Sequence, residues 1–280
     1  MKPRLASVLV LLSGLLLPAI GHSVLQGVPG QTEAQIARNT VAILLEDQRH
    51  RGPDGRPGFY PTTGVLIANG WVLTVRHGFA RFAGRRYTWK LHFGPDGDAS
   101  DPATIDIKPS DVIVHPELDL ALVHLKHWQP PFGFQPLRIL SGSDIAGDSP
   151  AKAFLAGFGE SRITPGKTLL YIVEEPISAI DAGTLPRLPE QLFPPQLAGH
   201  YLELDQRDGK GSCSGDSGGP VLLRHRDEFA LLGIIAGNAS YAGHHPCLDY
   251  SYAVRADHAV QWISSVTGLR FNPFSSRFEE

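Results

Sequence analysis

Cysteine, methionine and long apolar stretches are scarce in this chain of 280 residues. It has two cysteines and one methionine. The H-E-x-x-H motif and paired C-x-x-C motifs are absent, so we expect no metal and no cofactor. The one extended apolar run, 5–17, is too short for an ordinary membrane span.

An excess of basic charge is also missing. The 25 Lys and Arg residues are balanced by 28 Asp and Glu residues, a formal net charge of −3. Nucleic-acid binding therefore has no electrostatic support. Hydrophobic residues make up 42% of the chain and charged residues 19%, which is typical of a globular protein with a real core.

The N-terminus has the pattern of a secretory signal. A basic start precedes the apolar run 5–17, and small residues follow it. We expect segment 1–23 to be removed before Val24, with a cut after Ala19 and an uncleaved membrane anchor as the alternatives. The protein is then secreted or periplasmic, with no stable membrane association.

Short apolar runs bounded by turn residues recur along the rest of the chain, and 30 glycines and 23 prolines favour frequent turns. Asn69-Gly70 is a strong hairpin signal. This pattern is typical of a β-barrel or a β-sandwich. We predict strands at 41–45, 64–68, 71–75, 87–93, 104–107, 112–114, 120–125, 151–156, 169–173, 201–204, 220–223, 229–235 and 250–254.

Only the C-terminal region has a helical pattern. Asp257 is the predicted cap of a helix over 258–267, and Gly268 is its stop. The proline-rich segment 185–197 predicts an extended surface loop, and 129–143 is the best candidate for a connection between two halves.

A possible nucleophile lies in Gly215-Asp216-Ser217-Gly218-Gly219-Pro220. A serine hydroxyl needs a base to take its proton and nearby N–H groups to hold the resulting oxyanion. The candidate base is His77, at a strand-to-loop junction. The candidate orienting acid is Asp119, which lies in an apolar strand where a carboxylate is costly without a partner such as a histidine.

Cys213 and Cys247 are the two cysteines. In an exported chain such a pair favours a disulfide over a metal site, and two buried free thiols are the other alternative. Closing a loop of about 35 residues would stabilise the fold by ~3–4 kcal/mol in the chain-entropy model.

These motifs together resemble the chymotrypsin/trypsin family of serine proteases. The segment 71–77 is similar to the family's W-V-L-T-A-A-H, 119–122 to its D-I-A-L and 157–159 to its G-W-G, while 215–220 matches G-D-S-G-G-P and 261–263 carries the W-I of its terminal helix. The resemblance extends from about residue 24 to about residue 268. It implies an all-β fold of two six-stranded antiparallel Greek-key barrels with a C-terminal helix.

The resemblance also implies the chemistry. Ser217 would be the nucleophile, His77 the general base and then the general acid, and Asp119 the group that fixes the histidine tautomer. The N–H groups of Gly215 and Ser217 would form the oxyanion hole. The substrate would be a polypeptide, and we expect a monomer that does not bind nucleic acid.

The same resemblance divides the chain. The predicted units are a signal peptide (1–23), a serine protease domain (24–268) and a tail (269–280). The protease domain would contain a first barrel (24–135), a second barrel (136–256) and the C-terminal helix (257–268).

The cysteine pattern departs from the family. Most members have a cysteine directly after the catalytic histidine, paired with one fifteen residues before it, and these two places hold Gly78 and Thr62. Cys213 and Cys247 match the family's disulfide beside the substrate pocket. By the resemblance, the retained bridge braces that pocket.

Val24-Leu25-Gln26-Gly27 loosely resembles the family's mature terminus, I-V-G-G. In the family the terminal ammonium pairs with the acid before the serine, which is Asp216 here. We hypothesise that signal cleavage before Val24 directly creates the active terminus, and a chance match is the alternative.

The substrate pocket is expected at Gly211, its base, and at Ala236, Gly237 and Asn238, its wall. Basic-specific members carry Asp at the base, so the residue before the cleaved bond (P1) is predicted not to be basic. Asn238 replaces a usual glycine and would narrow the pocket. We therefore favour small or medium uncharged P1 side chains.

Two polar segments allow weaker interpretations. His244 and His245 would attract an acidic side chain when protonated, although a solvated loop is favoured. Asp96-Gly97-Asp98-Ala99-Ser100-Asp101 offers oxygen ligands for calcium but lacks the EF-hand spacing, so a plain polar turn is favoured.

Two other functions compete with the endopeptidase. An α/β-hydrolase esterase or lipase also uses G-x-S-x-G, with Asp249 and His258 as later partners, but the chain lacks alternating strands and long helices before the motif. The second is a protease-like binding protein without catalysis. It is disfavoured because all three triad residues are present.

Overall fold

The computed structural model describes residues 24–51, 57–80, 87–98, 104–126, 128, 134–140, 152–159, 167–179, 195–225, 227–240, 244–245 and 247–279. The predicted signal segment 1–23 lies outside these residues. So do 185–194 of the predicted proline-rich loop and 99–101 of the candidate calcium segment.

Strands dominate the described chain. The first nine are β1 (Val28–Pro29), β2 (Thr40–Arg51), β3 (Pro57–Ala68), β4 (Trp71–Thr74), β5 (Tyr87–Phe93), β6 (Asp96–Asp98), β7 (Ile105–Ile107), β8 (Val112–Val114) and β9 (Ala121–His124). The others are β10 (Arg138–Ile139), β11 (Lys152–Gly157), β12 (Lys167–Leu169), β13 (Tyr171–Ala179), β14 (Tyr201–Asp205), β15 (Pro220–His225), β16 (Glu228–Ala239), β17 (Tyr250–Arg255), β18 (Arg270–Asn272) and β19 (Arg277–Glu279).

The first sheet has seven strands in the order β7-β5-β2-β3-β4-β9-β8. Asn69 and Gly70 form the turn between β3 and β4, as predicted, and Gly70 takes the positive φ of 73° that favours glycine in a tight turn. The buried sides of these strands supply one apolar cluster, which includes Val41, Leu66 and Val123.

This first sheet forms a half-barrel, the less complete of the two predicted barrels. Its edge strands β7 and β8 follow each other in the chain, joined through a 3-10 helix (Pro109–Asp111). Among the described residues no ladder joins these two strands, so the sheet is a half-barrel.

The second sheet closes into a barrel. Its path β13-β11-β15-β16-β17-β14 returns to the start because β14 also pairs with β13. β1 pairs with β13 at its side, and β10 pairs in parallel with β16. The predicted all-β fold is confirmed, with one closed six-stranded barrel. The barrel boundaries given above stay a prediction, although β1 pairs within the second sheet.

The two sheets share an apolar core. One buried cluster fills the second barrel, and a larger one joins side chains of both sheets with the C-terminal helix. Leu73 of the first sheet, Leu222 of the second and Ile263 of the helix all belong to this larger cluster and are fully buried. Burial of this apolar area fixes the two halves against each other.

The described residues contain three short α-helices: α1 (Ala34–Asn39), α2 (His77–Ala80) and α3 (Val260–Thr267). The predicted terminal helix is confirmed, and Gly268 ends it with a φ of 73°. The predicted cap is wrong. Asp257 lies in a 3-10 turn (Asp257–Ala259) and makes no capping bond, because its carboxylate accepts from the Arg255 guanidinium.

The segment predicted as a tail forms the hairpin β18–β19, which the sequence pattern did not reveal. Phe278 is buried in the shared core. The Ser276 carbonyl accepts from the Ile139 N–H at 2.7 Å, and Arg277 Nε donates to the Pro136 carbonyl at 2.9 Å. The hairpin thus ties the end of the chain to the connection between the halves.

The described part of the candidate calcium segment has ordinary β structure. Asp96–Asp98 forms β6, which pairs with β12, and no cluster of three metal-binding side chains occurs among the described residues. In the same part of the chain, none of the helices has the length and apolar content needed to cross a bilayer.

Candidate active site

His77 and Asp119 lie at the same end of the first sheet. β4 and β9 are antiparallel neighbours, and their last pair is Thr74 with Ala121. His77 follows β4 by three residues and Asp119 precedes β9 by two, so the ladder brings both side chains together. The His77 backbone N–H donates to Asp119 Oδ1 at 2.9 Å, and Nδ1 lies 2.6 Å from Oδ2.

This geometry sets the histidine tautomer. An ionised carboxylate only accepts hydrogen bonds, so the proton on the neutral ring of His77 belongs on Nδ1. Nε2 is then an acceptor, the state required to take a proton from a hydroxyl. The His77 side chain is 46% exposed and the Asp119 side chain 14%, so the ring is open to a ligand while the acid is largely covered.

Ser217 belongs to the loop 213–219, which leads into β15. Its carbonyl accepts from the Thr62 hydroxyl at 2.6 Å and from the Thr63 N–H at 2.8 Å. Within the described chain the N–H groups of Gly215 and Ser217 have no acceptor. Two donors on a fixed loop, without partners, are the groups that an oxyanion would bind.

Thr62 also relates Ser217 to His77. A Cβ built on Gly78, the residue after His77, would lie 3.6 Å from both Thr62 Oγ1 and Thr62 Cγ2. Thr62 therefore lies near Gly78 as well as bonding to Ser217. The described hydrogen bonds do not include one from Ser217 Oγ to His77, and such contacts are commonly longer before a substrate binds.

Asp216 is fully buried and is surrounded by N–H donors. Its carboxylate accepts from the backbone N–H groups of Val24 at 2.9 Å, Cys213 at 2.8 Å and Gly159 at 2.9 Å. Burial raises the pKa of the Asp216 carboxyl to about 6, and the three hydrogen bonds offset part of that rise.

The carboxylate of Asp216 also explains a glycine motif. A Cβ on Gly157 would lie 2.1 Å from Asp216 Oδ1, so no other residue fits there without displacing the acid. The Gly157-Phe158-Gly159 segment is therefore required by the close approach of Asp216 to its backbone.

The predicted disulfide between Cys213 and Cys247 is confirmed, with a Cα–Cα distance of 5.0 Å. It links the start of the Ser217 loop to the segment before β17. His245 Nδ1 accepts from the Cys247 N–H at 3.2 Å, and His244 Nδ1 lies 3.0 Å from Asp249 Oδ1. Both histidines are thus bonded within their own loop.

Gly211, the predicted pocket base, is buried and has a φ of 124°. A Cβ there would lie 1.6 Å from Gln206 Nε2, so the Gln206 side chain occupies the space that a side chain at position 211 would need. Gly211 also pairs with Leu25 in an antiparallel bridge, which connects the pocket base to the N-terminal segment.

Asn238, in the predicted pocket wall, completes an amide cluster with Gln206. Asn238 Nδ2 donates to Gln206 Oε1 at 2.9 Å and to the Ser212 carbonyl at 2.8 Å. Gln206 Nε2 donates to the same carbonyl at 3.1 Å. These amides are neutral and bonded to one another. The neighbouring wall residues are the largely buried Ala236 and the half-buried Gly237.

Sequence patterns did not reveal Gln206, Thr62 or Thr63 as parts of the site. Gln206 lies outside every motif, and its role follows from contacts with Gly211 and Asn238. In the sequence, Thr62 is marked only by the absence of a cysteine that most family members have there. A polar residue outside any motif gives no sequence signal that it belongs to a site.

Comparison with known proteins identifies the family of the chain. The family model described as Trypsin matches residues 33–263 of the chain. The chain belongs to the trypsin family. The predicted family is thereby confirmed.

Curated relatives of this trypsin-family chain come from animals. It is 28% identical to serine protease filzig of Drosophila melanogaster over 74% of this chain and 12% of that protein. It is 29% identical to serine protease 56 of Mus musculus over 56% of this chain and 26% of that protein. The chain thus spans only a small part of either relative. A collagenase of Hypoderma lineatum is 26% identical over 82% of this chain and 81% of its own length.

Among solved structures, HL collagenase matches the trypsin-family fold with a TM-score of 0.62. The match has 22% identity and covers 88% of this chain and 99% of that one. The shared fold is all-β, so the α/β-hydrolase alternative, which needs alternating strands and long helices, is excluded.

Proposed function

We propose that this protein is a secreted serine endopeptidase that hydrolyses peptide bonds through His77, Asp119 and Ser217. The observation that carries the proposal is the 2.6 Å contact between His77 Nδ1 and Asp119 Oδ2. The Gly215 and Ser217 N–H groups, which have no acceptor among the described residues, support it. Membership of the trypsin family supports the same chemistry.

In the first half of the reaction, Ser217 Oγ attacks the carbonyl carbon of the scissile bond and its proton moves to His77 Nε2. Asp119 stabilises the imidazolium that forms. The N–H groups of Gly215 and Ser217 donate to the new oxyanion, which carries more charge than the carbonyl oxygen of the substrate.

The tetrahedral intermediate then collapses. The C–N bond breaks, His77 Nε2 gives its proton to the leaving amine, and the acyl group remains on Ser217 as an ester. A water molecule repeats the sequence with His77 as base, and hydrolysis of the ester releases the acid product and restores Ser217.

Val24 and Asp216 form the proposed activation device. The Val24 nitrogen is buried 2.9 Å from Asp216 Oδ2. Cleavage before Val24 would turn this nitrogen into an ammonium, whose charge favours the ionised carboxylate and lowers the pKa of Asp216. The buried ion pair would hold the Ser217 loop, so signal removal itself produces the active form.

The pocket favours small uncharged P1 side chains. Gly211 offers no carboxylate at the base, and the amide cluster of Gln206 and Asn238 takes up part of the volume. A lysine or arginine ammonium or guanidinium would be buried there without a counter-ion, which is costly. The apolar run 5–17 supports export to a secreted or periplasmic location.

Labelling with a fluorophosphonate probe tests the proposal. The exported, matured protein should be labelled at Ser217, and Ser217→Ala should not. Absence of labelling in the matured wild type would favour the non-catalytic binding protein. N-terminal sequencing should give Val24, and a peptide library should give cleavage after small uncharged residues; another terminus or a basic preference would contradict those parts.

A further inference from the structure

Two threonines of β3 contact the Ser217 loop through their hydroxyl groups. Thr62 Oγ1 donates to the Ser217 carbonyl at 2.6 Å, and Thr63 Oγ1 donates to the Gly215 carbonyl at 3.1 Å. The Thr63 N–H adds a bond to the Ser217 carbonyl at 2.8 Å. Strand β3 of the first sheet thereby bonds to both carbonyls that flank Asp216.

These bonds fix the peptide groups around the candidate oxyanion hole. The Ser217–Gly218 peptide is held at its carbonyl by Thr62 and Thr63 and at its N–H by the Ile235 carbonyl at 2.7 Å. The Asp216 carbonyl accepts from the Gly219 N–H at 2.9 Å. With the carbonyls engaged on the protein side, the Ser217 N–H is left directed away from them and free.

Thr63 is itself firmly placed. Its hydroxyl accepts from the Phe158 N–H at 3.0 Å, and its carbonyl accepts from the Thr74 hydroxyl at 2.6 Å. A series of hydrogen bonds therefore runs from β4 through β3 to the Ser217 loop and the second barrel. A network in which each polar group has a partner is rigid.

Thr62 also lies near the histidine side of the site. Its hydroxyl and methyl groups lie 3.6 Å from where a Cβ of Gly78 would be, which is ordinary van der Waals spacing for an added atom. The side chain that bonds the Ser217 carbonyl therefore also stands beside the residue after His77.

We propose that Thr62 and Thr63 form a threonine clamp that positions the Ser217 loop for oxyanion binding. This inference rests on the proposed endopeptidase function. The clamp does not touch the reacting atoms. It acts by holding the Gly215 and Ser217 carbonyls, and through Thr62 it joins the two parts of the site where most family members have a disulfide.

The test compares Thr62→Val, which keeps the shape of the side chain and removes the donor, with Thr62→Ser, which keeps the donor. The Ser217 carbonyl retains the Thr63 N–H in both variants, so the chain should fold. Thr267→Val is the matched control, because the Thr267 hydroxyl donates to the Ile263 carbonyl at 2.8 Å within α3, remote from the loop.

Thr62→Val should lower kcat for a peptide substrate about tenfold, as expected for one lost hydrogen bond, and leave KM unchanged. Binding of a peptide boronic acid, which forms a tetrahedral adduct on serine, should weaken by about the same factor. Thr62→Ser should restore both quantities, and Thr267→Val should change neither. Equal kcat in Thr62→Val and the wild type, or equal losses in the Val and Ser variants, would overturn the clamp.

A second measurement separates the clamp from the catalytic proposal. If wild-type Ser217 reacts with the fluorophosphonate and Thr62→Val reacts equally fast, the clamp fails and the endopeptidase proposal stands. If the wild type does not react, the endopeptidase proposal fails and hydrogen exchange decides the clamp. The hydrogen-bonded amides of Asp216 and Gly218, which donate to the Cys213 and Ile235 carbonyls, should exchange about tenfold faster in Thr62→Val; unchanged exchange would overturn the clamp.

Discussion

His77 and Asp119 come from the open first sheet, whereas the Ser217 loop belongs to the closed second barrel. In the first region two hydrogen bonds, both to Asp119, hold the histidine. In the second, a disulfide, three N–H bonds to Asp216 and the bonds from Thr62 and Thr63 hold a single loop.

The comparison indicates different tasks: the first region supplies the proposed proton-transfer group, and the second holds the proposed oxyanion-binding loop in place. A proton carrier needs an accessible ring with one nitrogen fixed, and the half-exposed His77 has that. An oxyanion hole needs peptide groups that do not reorganise when charge develops, and the Ser217 loop is bonded accordingly. Substitution of His77 should therefore abolish turnover and leave the fold intact, while substitution of the groups that hold the Ser217 loop in place should change the population of the folded active form.

The largest effect is expected for His77→Ala. By the family template, it should lower kcat by about 10,000-fold or more, nearly as much as Ser217→Ala, because the two residues act as a unit. Steady-state kinetics measures the loss, and thermal unfolding should stay as in the wild type. His225→Ala, outside the site, is the control. Additive losses in the double variant His77→Ala/Ser217→Ala would show that the two residues do not act as a unit.

Asp216→Asn should have the next largest effect, because it disturbs the contacts that hold the Ser217 loop in place. In the proposed mature form, it leaves the Val24 ammonium buried without its counter-charge, which costs about 3–5 kcal/mol. The active population should fall by a factor of roughly 150–5,000.

Fluorophosphonate labelling rates of the matured protein measure that loss. Asp208→Asn is the control, since Asp208 is an exposed acid paired with Lys210. Full activity in Asp216→Asn would show that the loop does not depend on this charge.

Glu175, on a strand of the second barrel, is a buried acid that contrasts with Asp216. It is fully buried on β13, and neither carboxylate oxygen has a hydrogen-bond partner in the part of the chain that the structure describes. Burial raises the pKa of its carboxyl from 4.5 to about 8. Asp216 has three donors for its carboxylate, whereas Glu175 has none among the described residues and stays protonated in the folded state at neutral pH.

A raised folded pKa means that the folded state binds more protons than the unfolded state between pH 4.5 and about 8. The stability contributed by neutral Glu175 is complete below pH 4.5 and is lost as the pH rises through 8. The loss should be on the order of a few kcal/mol.

Denaturant unfolding of Glu175→Leu at several pH values checks this. The stability of the variant relative to the wild type should increase across that pH interval. The neighbouring Glu174→Gln is the control, because Glu174 is exposed and pairs with Lys152. A constant difference between Glu175→Leu and the wild type would contradict the assignment.

Asn238→Ala should give the smallest effect, a change in preference. Removing the amide enlarges the pocket, so the ratio of kcat/KM for leucine over alanine at P1 should rise about tenfold. Asn272→Ala in the C-terminal hairpin is the control. An unchanged ratio would mean that the amide cluster does not limit the pocket.

Local sequence signals predicted much of the fold. Apolar runs of strand length gave most of the strands, and Asn69-Gly70 gave its turn, because these features act within a few residues. The Ser217 loop, His77 and Asp119 were found because their residue types occur in a recognisable order. Their catalytic roles stay a prediction.

Features that depend on distant contacts were not predictable. The side chain of Gln206 matters because it fills the space beside Gly211, and Glu175 because the barrel buries it. Whether the edge strands β7 and β8 pair depends on their relative placement in the folded sheet, which no local pattern marks. The hairpin β18–β19 depends on burial of Phe278 in the shared core. Its short polar segments have no hydrophobic periodicity from which the hairpin could be predicted.

The C-terminal hairpin has a consequence for the heat stability of the protein. Arg277 bonds both the Pro136 carbonyl and Glu228 of the second barrel, so the last turn of the chain fastens the connection between the halves. Loss of the Arg277 side chain would remove both bonds at once, and the protein would then unfold at a lower temperature.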